Sequence, residues 1–242
     1  LGEIQIPKFI EEKRPDIKEK TRYVVQKEMK GQSHALYLAR EYLKGQVIIA
    51  WADTIFDPDF SSLSNETSDG IAWVQPVQDP RPFGVAEVGD DGWITNLIEK
   101  QNDVNKNLAL VGCYYFKSGE SVLIAIERQM QRKNMINNEY YLVDAINIMI
   151  KEDGVKIRTE KFGMWLDTGT FDNTLHANRY LLEHGQSNSP QPINSHVTII
   201  PPVFIHSAAK IDNSVIGPYV SIGPDCNINS SKIEDSIIEE GA

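Results

Sequence analysis

From Leu1 to about Gly185, short apolar runs alternate with helical stripes. Val47-Ile48-Ile49-Ala50-Trp51 is a continuous apolar run closed by Ala52-Asp53. Ile71 to Val77, Gly84 to Val88, Trp93 to Lys100 and Leu108 to Phe116 have the same character. Runs of this length, rich in β-branched and aromatic residues, predict strands. Tyr23-Val24-Val25 reads as a further short strand leading towards a helix. Between and after them, Ser33 to Leu43 gathers Ala35, Leu36, Ala39 and Leu43 on one helical face, and Ser121 to Arg132 gathers Val122, Ile126 and Met130. Tyr140 to Ile150 and Phe171 to His184 predict two more helices. This alternation predicts an α/β domain over residues 1–185, a mixed, mainly parallel sheet with helices on both faces.

The pattern changes near residue 190. Residues 186–192 are rich in Gln, Ser, Asn and Pro and read as a linker. Over residues 193–242, isoleucines recur at Ile199, Ile205, Ile211, Ile216, Ile222, Ile228 and Ile233. That hexapeptide period suits neither a helix nor a flat sheet. It suits a β-solenoid whose coils each carry three short strands, with the isoleucines stacked in a narrow core and Gly-Pro pairs at the corners. The last coil reads as incomplete, which predicts contact with another chain or marginal order there.

Composition narrows the function classes. The 242 residues carry 34 acidic and 24 basic side chains, a net charge of −10. A nucleic-acid partner would ask for a basic stripe. The nearest candidate, Lys13, Arg14, Lys18, Lys20 and Arg22, is interrupted by Asp16 and Glu19 and reads as a solvated face. No apolar run is long enough for a membrane helix, and the first residues show no secretion signal. Cys113 and Cys226 stand far apart, so a reducing cytoplasm is expected rather than a disulfide framework.

Two carboxylates stand out. Asp53 directly follows an apolar run, where the ligand crevice of open α/β sheets lies; it equally suits a turn or a helix cap. Asp167, in Trp165-Leu166-Asp167-Thr168-Gly169-Thr170, stands in a similar position, although Thr170 or Asp172 would serve better as the cap of the helix that follows. Two carboxylates at neighbouring strand ends would seat Mg²⁺, which takes one or two protein carboxylates and leaves its other positions to water and phosphate. Gly31, before a helix that Ser33 could cap, leaves room for a ligand or merely for a turn. Glu99 and Lys100 point to opposite faces of their strand, so one of them can face a site. His34, His176, His184, His196 and His206 have no metal-ligand spacing, and hydrolase, P-loop and dinucleotide motifs are missing from the sequence.

Several blocks together resemble the sugar-phosphate nucleotidyltransferases, the NDP-sugar pyrophosphorylases of thymidylyltransferase and uridylyltransferase type. They are Gln26 with Gly31 and His34-Ala35-Leu36, Ala52-Asp53-Thr54-Ile55-Phe56, Asp79-Pro80-Arg81-Pro82-Phe83-Gly84-Val85, Leu97-Ile98-Glu99-Lys100, Asn107 to Gly112, and Trp165 to Thr170 followed by Ala177-Asn178-Arg179. The resemblance implies a Rossmann-like nucleotidyltransferase domain followed by a left-handed β-helix. It implies Mg²⁺-dependent formation of an NDP-sugar and pyrophosphate from a sugar 1-phosphate, glucose 1-phosphate above all, and dTTP or UTP. By the same resemblance, Gln26 and Gly31 contact the base and Asp53 and Asp167 hold Mg²⁺. Gly84, Glu99, Lys100 and Gly112 line the sugar-phosphate site, and the protein is a homo-oligomer. The sequence departs from the family in lacking the N-terminal GxGTRLRP segment, which implies that this chain alone is inactive, and in carrying Trp51-Ala52 before Asp53. A non-catalytic regulatory or scaffolding subunit that binds a nucleotide sugar is the alternative; an acyltransferase is a weaker one.

Overall fold

The computed structural model describes residues 2–57, 59–99, 102–188 and 196–242. The chain divides into two compact units, one made of Leu1–Trp51 with Pro58–Gly163 and the other of Ala52–Asp57 with Met164–Ala242.

The first unit opens with helix α1 (Gly2–Lys13) and a 3₁₀ turn over Pro15–Lys20. Here two of the basic side chains are tied to acidic neighbours: Arg14 pairs with Asp16 at 2.9 Å and Lys18 with Glu11 at 2.6 Å. Tyr23-Val24-Val25, expected as a strand, is irregular and 44–48% exposed. Strand propensity alone cannot satisfy backbone groups that find no neighbouring ladder. Helix α2 (Gln32–Leu38) follows, with Gly31 rather than Ser33 at its N-cap; Ser33 is buried in the first turn.

The sheet is built on β6 (Leu108–Phe116), buried along nearly its whole length. β3 (Gly70–Pro76) runs antiparallel along one edge of it. The other edge is shared by β1 (Val47–Ala50), antiparallel to Cys113–Phe116, and by β4 (Val85–Val88), which meets Ala109. β5 (Ile94–Ile98) forms a hairpin with β4, and β7 (Ile157–Glu160) lies outside β3. The sheet is mixed, but among the described pairs of this unit only β3 with β7 is parallel, where mainly parallel pairing was expected. Helices α3 and α4 stand between β6 and β7, which joins the sheet parallel to β3, whereas the short β4–β5 turn permits antiparallel pairing alone.

Helices α3 (Gly119–Gln131) and α4 (Leu142–Glu152) bury Val122, Ala125, Ile126, Leu142, Ile146 and Met149 in the same core as β6. Ser118 caps α3 by accepting from Ser121 N at 3.2 Å. Asn147 clamps α4 to β5, accepting from Leu97 N at 2.8 Å and donating to Leu97 O at 2.7 Å. Each of these partners satisfies a group that burial would otherwise leave unpaired.

In the second unit, β2 (Thr54–Phe56) pairs antiparallel with β8 (Trp165–Asp167). Helix α5 (Phe171–Leu181) follows, capped by Thr170 Oγ1 accepting from Asn173 N at 3.2 Å. The solenoid then stacks β9 (Val197–Ile199), β12 (Ser214–Ile216) and β15 (Lys232–Ile233) as one parallel sheet. β10 (Val203–Ile205), β13 (Val220–Ile222) and β16 (Ser236–Ile238) make the second, and β11 (Lys210–Asp212) with β14 (Asn227–Asn229) the third. Ile199, Ile216 and Ile233 are in register, as are Ile205 with Ile222 and Ile211 with Ile228, matching the expected ladder. The unit starts ahead of the expected linker because α5 and the helical turn after it, Leu182–Gln186, are bonded to the coils. Ser221 Oγ donates to Asn178 Oδ1 at 2.6 Å, Tyr219 Oη donates to Glu183 Oε1 at 2.7 Å, and Arg179 pairs with Asp235. Residues 189–192 of that linker lie outside the described residues.

Candidate functional site

The carboxylate pair lies in the second unit. β2 and β8 place Thr54 opposite Asp167, and Asp53 O accepts from both Thr168 N and Thr168 Oγ1 at 2.9 Å. Strict alternation along the ladder would send Asp53 and Asp167 to opposite faces. Ala52-Asp53 is a turn, however, and escapes that rule. Both carboxylates flank the Gly169 backbone: a side chain there would begin 3.2 Å from Asp167 Oδ1 and 3.6 Å from Asp53 Oδ2. The two oxygens therefore lie within the sum of those distances of each other. Asp167 Oδ1 accepts from Gly169 N at 3.1 Å, and Oδ2 accepts from Asn173 Nδ2. Asp53 is exposed. Trp165 Nε1 donates to Thr54 Oγ1 at 2.8 Å, which ties the two strands together. Among the described residues no group of three or more His, Cys, Asp or Glu side chains could gather on a metal. Two hard carboxylate oxygens beside an open glycine fit Mg²⁺ rather than a site built from several protein ligands.

The other sequence-derived positions lie in the first unit and form two groups. In the first, Gln26 Nε2 donates to Gly31 O at 3.1 Å and to His34 Nδ1 at 3.0 Å, so the imidazole proton sits on Nε2. Both amide donors are thus used and Oε1 is left as an acceptor. Gly31 has φ +85°, and a side chain there would begin 2.7 Å from Tyr140 N and O. The room that the glycine provides is taken by the chain's own backbone, not left open at Cα for a ligand. Its N–H meets no acceptor among the described residues.

The second group sits along the β6 edge shared by β1 and β4. Leu110 N donates to Gly84 O at 2.8 Å, and Trp51 N donates to Gly112 O at 2.9 Å. Gly84 and Trp51 thereby flank Leu110–Gly112. A side chain at Gly84 would begin 2.9 Å from Glu99 Oε2, and one at Gly112 (φ +80°) would begin 2.2 Å from Trp51 Cδ1. The indole therefore covers Gly112, and a ligand on this face meets Trp51 first. Tyr114 meets Trp51 edge-on with ring centroids 6.2 Å apart. Burial, with the charges of Glu99 and Cys113 nearby, pushes the Tyr114 phenol up. Glu99 follows β5 in a bend; Lys100 lies outside the described residues. The structure thus brings Gly84, Glu99 and Gly112 together in one group, Gln26 and Gly31 in another, and Asp53 and Asp167 in a third.

Three side chains beside these positions escape a reading of the sequence. Tyr114 is hidden inside a nine-residue apolar run. Trp51 reads as the end of a buried strand, and Asn173 as an ordinary first-turn residue. For Asn173 a signal existed: it stands three residues after the Thr170 cap, on the turn that faces back towards Asp167.

Comparison with known proteins gives one family. Residues 7–184 match the family described as nucleotidyl transferase. A glucose-1-phosphate thymidylyltransferase of Streptomyces antibioticus is 29% identical over 241 residues, covering 89% of this chain and 66% of that protein. A low-salt glycan biosynthesis nucleotidyltransferase of Haloferax volcanii is 30% identical, with 89% of this chain and 66% of that protein covered. The chain thus spans just under two thirds of these relatives. The crystal structure of a UDP-glucose pyrophosphorylase complexed with UDP-glucose superposes with a TM-score of 0.58 at 25% identity, over 70% of this chain and 69% of that one. The family match covers most of the chain, and the fold comparison agrees with the mixed sheet described above. The chain belongs to the nucleotidyl transferase family.

Proposed function

We propose that this protein transfers a nucleotidyl group to a sugar 1-phosphate. A phosphate oxygen of the sugar phosphate forms a bond to the α-phosphorus of dTTP or UTP, the bond to the β-phosphate bridge breaks, and pyrophosphate leaves with the electron pair. The convergence of Asp53 and Asp167 beside Gly169 is the observation that carries this reading. They would hold Mg²⁺, which when bound neutralises charge on the phosphates. Asn173 and Gly169 N keep the Asp167 carboxylate turned to its place. Gln26 is compatible with a thymine or uracil base: with its amide donors committed, its oxygen can accept from the imide N3–H. Gly31 adds its backbone N–H. Glu99, with Lys100, Gly84 and Gly112, serves the sugar phosphate, where a carboxylate accepts from ring hydroxyls. No residue acts as a covalent nucleophile; positioning and charge stabilisation supply the rate. The buried, free Cys113 and Cys226 accord with a reducing compartment, and burial holds the Cys113 thiol at about 12.

The test is direct. The protein expressed from its full reading frame is given glucose 1-phosphate, Mg²⁺ and either dTTP or UTP, and pyrophosphate release is followed. Product with one of these nucleotides is expected, and Asp53→Asn or Asp167→Asn should remove most of the rate. Binding of nucleotide sugar without turnover under any such pairing would replace this reading with that of a non-catalytic binding subunit.

A further inference from the structure

Trp51 has a place that core packing alone does not explain. Its indole covers Gly112, the one glycine of β6, whose φ of +80° disfavours a larger residue. The ring is half-buried at the margin of the core, with part of it open to solvent. Its Nε1–H reaches no acceptor among the described residues and is not one of their buried unpartnered groups, so it can donate to water or to a ligand. Along the same β6 edge, two residues away, Gly84 brings in the Glu99 carboxylate, and Tyr114 closes the far side. A half-buried indole, an N–H with no acceptor among the described residues and a carboxylate on one short stretch of edge suit a ring with apolar C–H faces and equatorial hydroxyls.

We propose that Trp51 is a specificity-determining residue for the sugar, its indole supporting the C–H face of a pyranose whose hydroxyls reach Glu99. This rests on the reading of the protein as a sugar-1-phosphate nucleotidyltransferase. Trp51 then supplies affinity for the sugar half of a nucleotide sugar and none for the nucleotide half.

The experiment compares UDP-glucose with UDP, and dTDP-glucose with dTDP, by calorimetry on the full-length protein, Trp51→Leu and Trp51→Phe. Trp51→Leu should weaken nucleotide-sugar binding about tenfold, the worth of an aromatic contact with its buried area. The nucleoside diphosphates should bind all three proteins alike, and Trp51→Phe should fall between. On the unmodified protein, the Trp51 indole N–H resonance should move with the nucleotide sugar and stay still with the diphosphate. This second readout stands even if a variant fails to fold. A resonance that ignores the nucleotide sugar, or variants that bind it as the unmodified protein does, overturns the role of Trp51 and leaves the proposed activity intact. Failure of every nucleotide and nucleotide sugar to bind overturns both.

Discussion

Gly112 and Trp51 are two halves of one device, and their dependence on each other is measurable. An alanine at position 112 would carry a left-handed backbone, costing about 1–2 kcal/mol, and a methyl group inside the indole. Gly112→Ala should therefore destabilise strongly in denaturant unfolding. Combined with Trp51→Ala the loss should be clearly smaller than the sum of the two single losses, because the clash is gone; simple additivity would refute the packing described. A second residue-scale expectation concerns Glu66. Arg158 donates to Glu66 Oε2 at 2.7 Å, Ser68 N donates to Oε1 at 2.8 Å, and the carboxyl falls from 4.5 to about 2. A folded-state value below the unfolded one stabilises above pH 4.5, and that contribution is lost as pH falls towards 2. Thermal midpoints should thus drop more steeply over this range in the unmodified protein than in Glu66→Gln. At this scale the sequence was informative where chemistry is rare: Asp53 and Asp167 are acids at the ends of apolar runs, and few residue types explain themselves so poorly as core. Tyr114 and Trp51 were opaque because an aromatic within an apolar run looks the same whether it fills a core or edges a site. At Gly31 the sequence left a ligand and a turn equally open; the glycine's freedom is used for the close passage of Tyr140.

Elements differ in how far local pattern determines them. The solenoid was legible because its ladder is periodic: Ile216 sits fully buried between Ile199 and Ile233, and any slip would expel it. Ile216→Ala should cost about 2–5 kcal/mol, as buried truncations do. Ile237→Ala, at a position 39% exposed on the outer face, should cost far less. Hydrogen exchange across β9, β12 and β15 would report the contrast, and equal costs at the two sites would contradict the ladder. The sheet was less legible. Apolar runs reveal burial, not strand direction, so the antiparallel pairing of β6 with β1, β3 and β4 had to come from the structure. β2 and β8 are three residues each, too short for a period to show, yet they bring the two aspartates together. Tyr23-Val24-Val25 has strand composition without strand pairing, which shows that propensity yields to the supply of hydrogen-bond partners.

For the molecule as a whole, an acidic chain of net charge −10 has little general attraction for phosphates, so binding of a triphosphate depends on local neutralisation. That requirement makes the proposed cation site at Asp53 and Asp167 central. The proposed transfer depends on that carboxylate pair. It follows that Mg²⁺ and nucleotide sugar together should raise the thermal midpoint by more than the sum of their separate effects, through the linkage of two coupled ligands to the folded state; strictly additive increments would speak against coupled binding. The most direct measurement is Mn²⁺ binding followed by electron paramagnetic resonance, with nucleotide present, on the unmodified protein, Asp53→Asn, Asp167→Asn and the double variant. One bound ion per chain is expected, with each single variant losing most of it and the double variant no worse than the weaker single, as two ligands of one ion require. Bound Mn²⁺ that persists undiminished in the double variant would contradict the account.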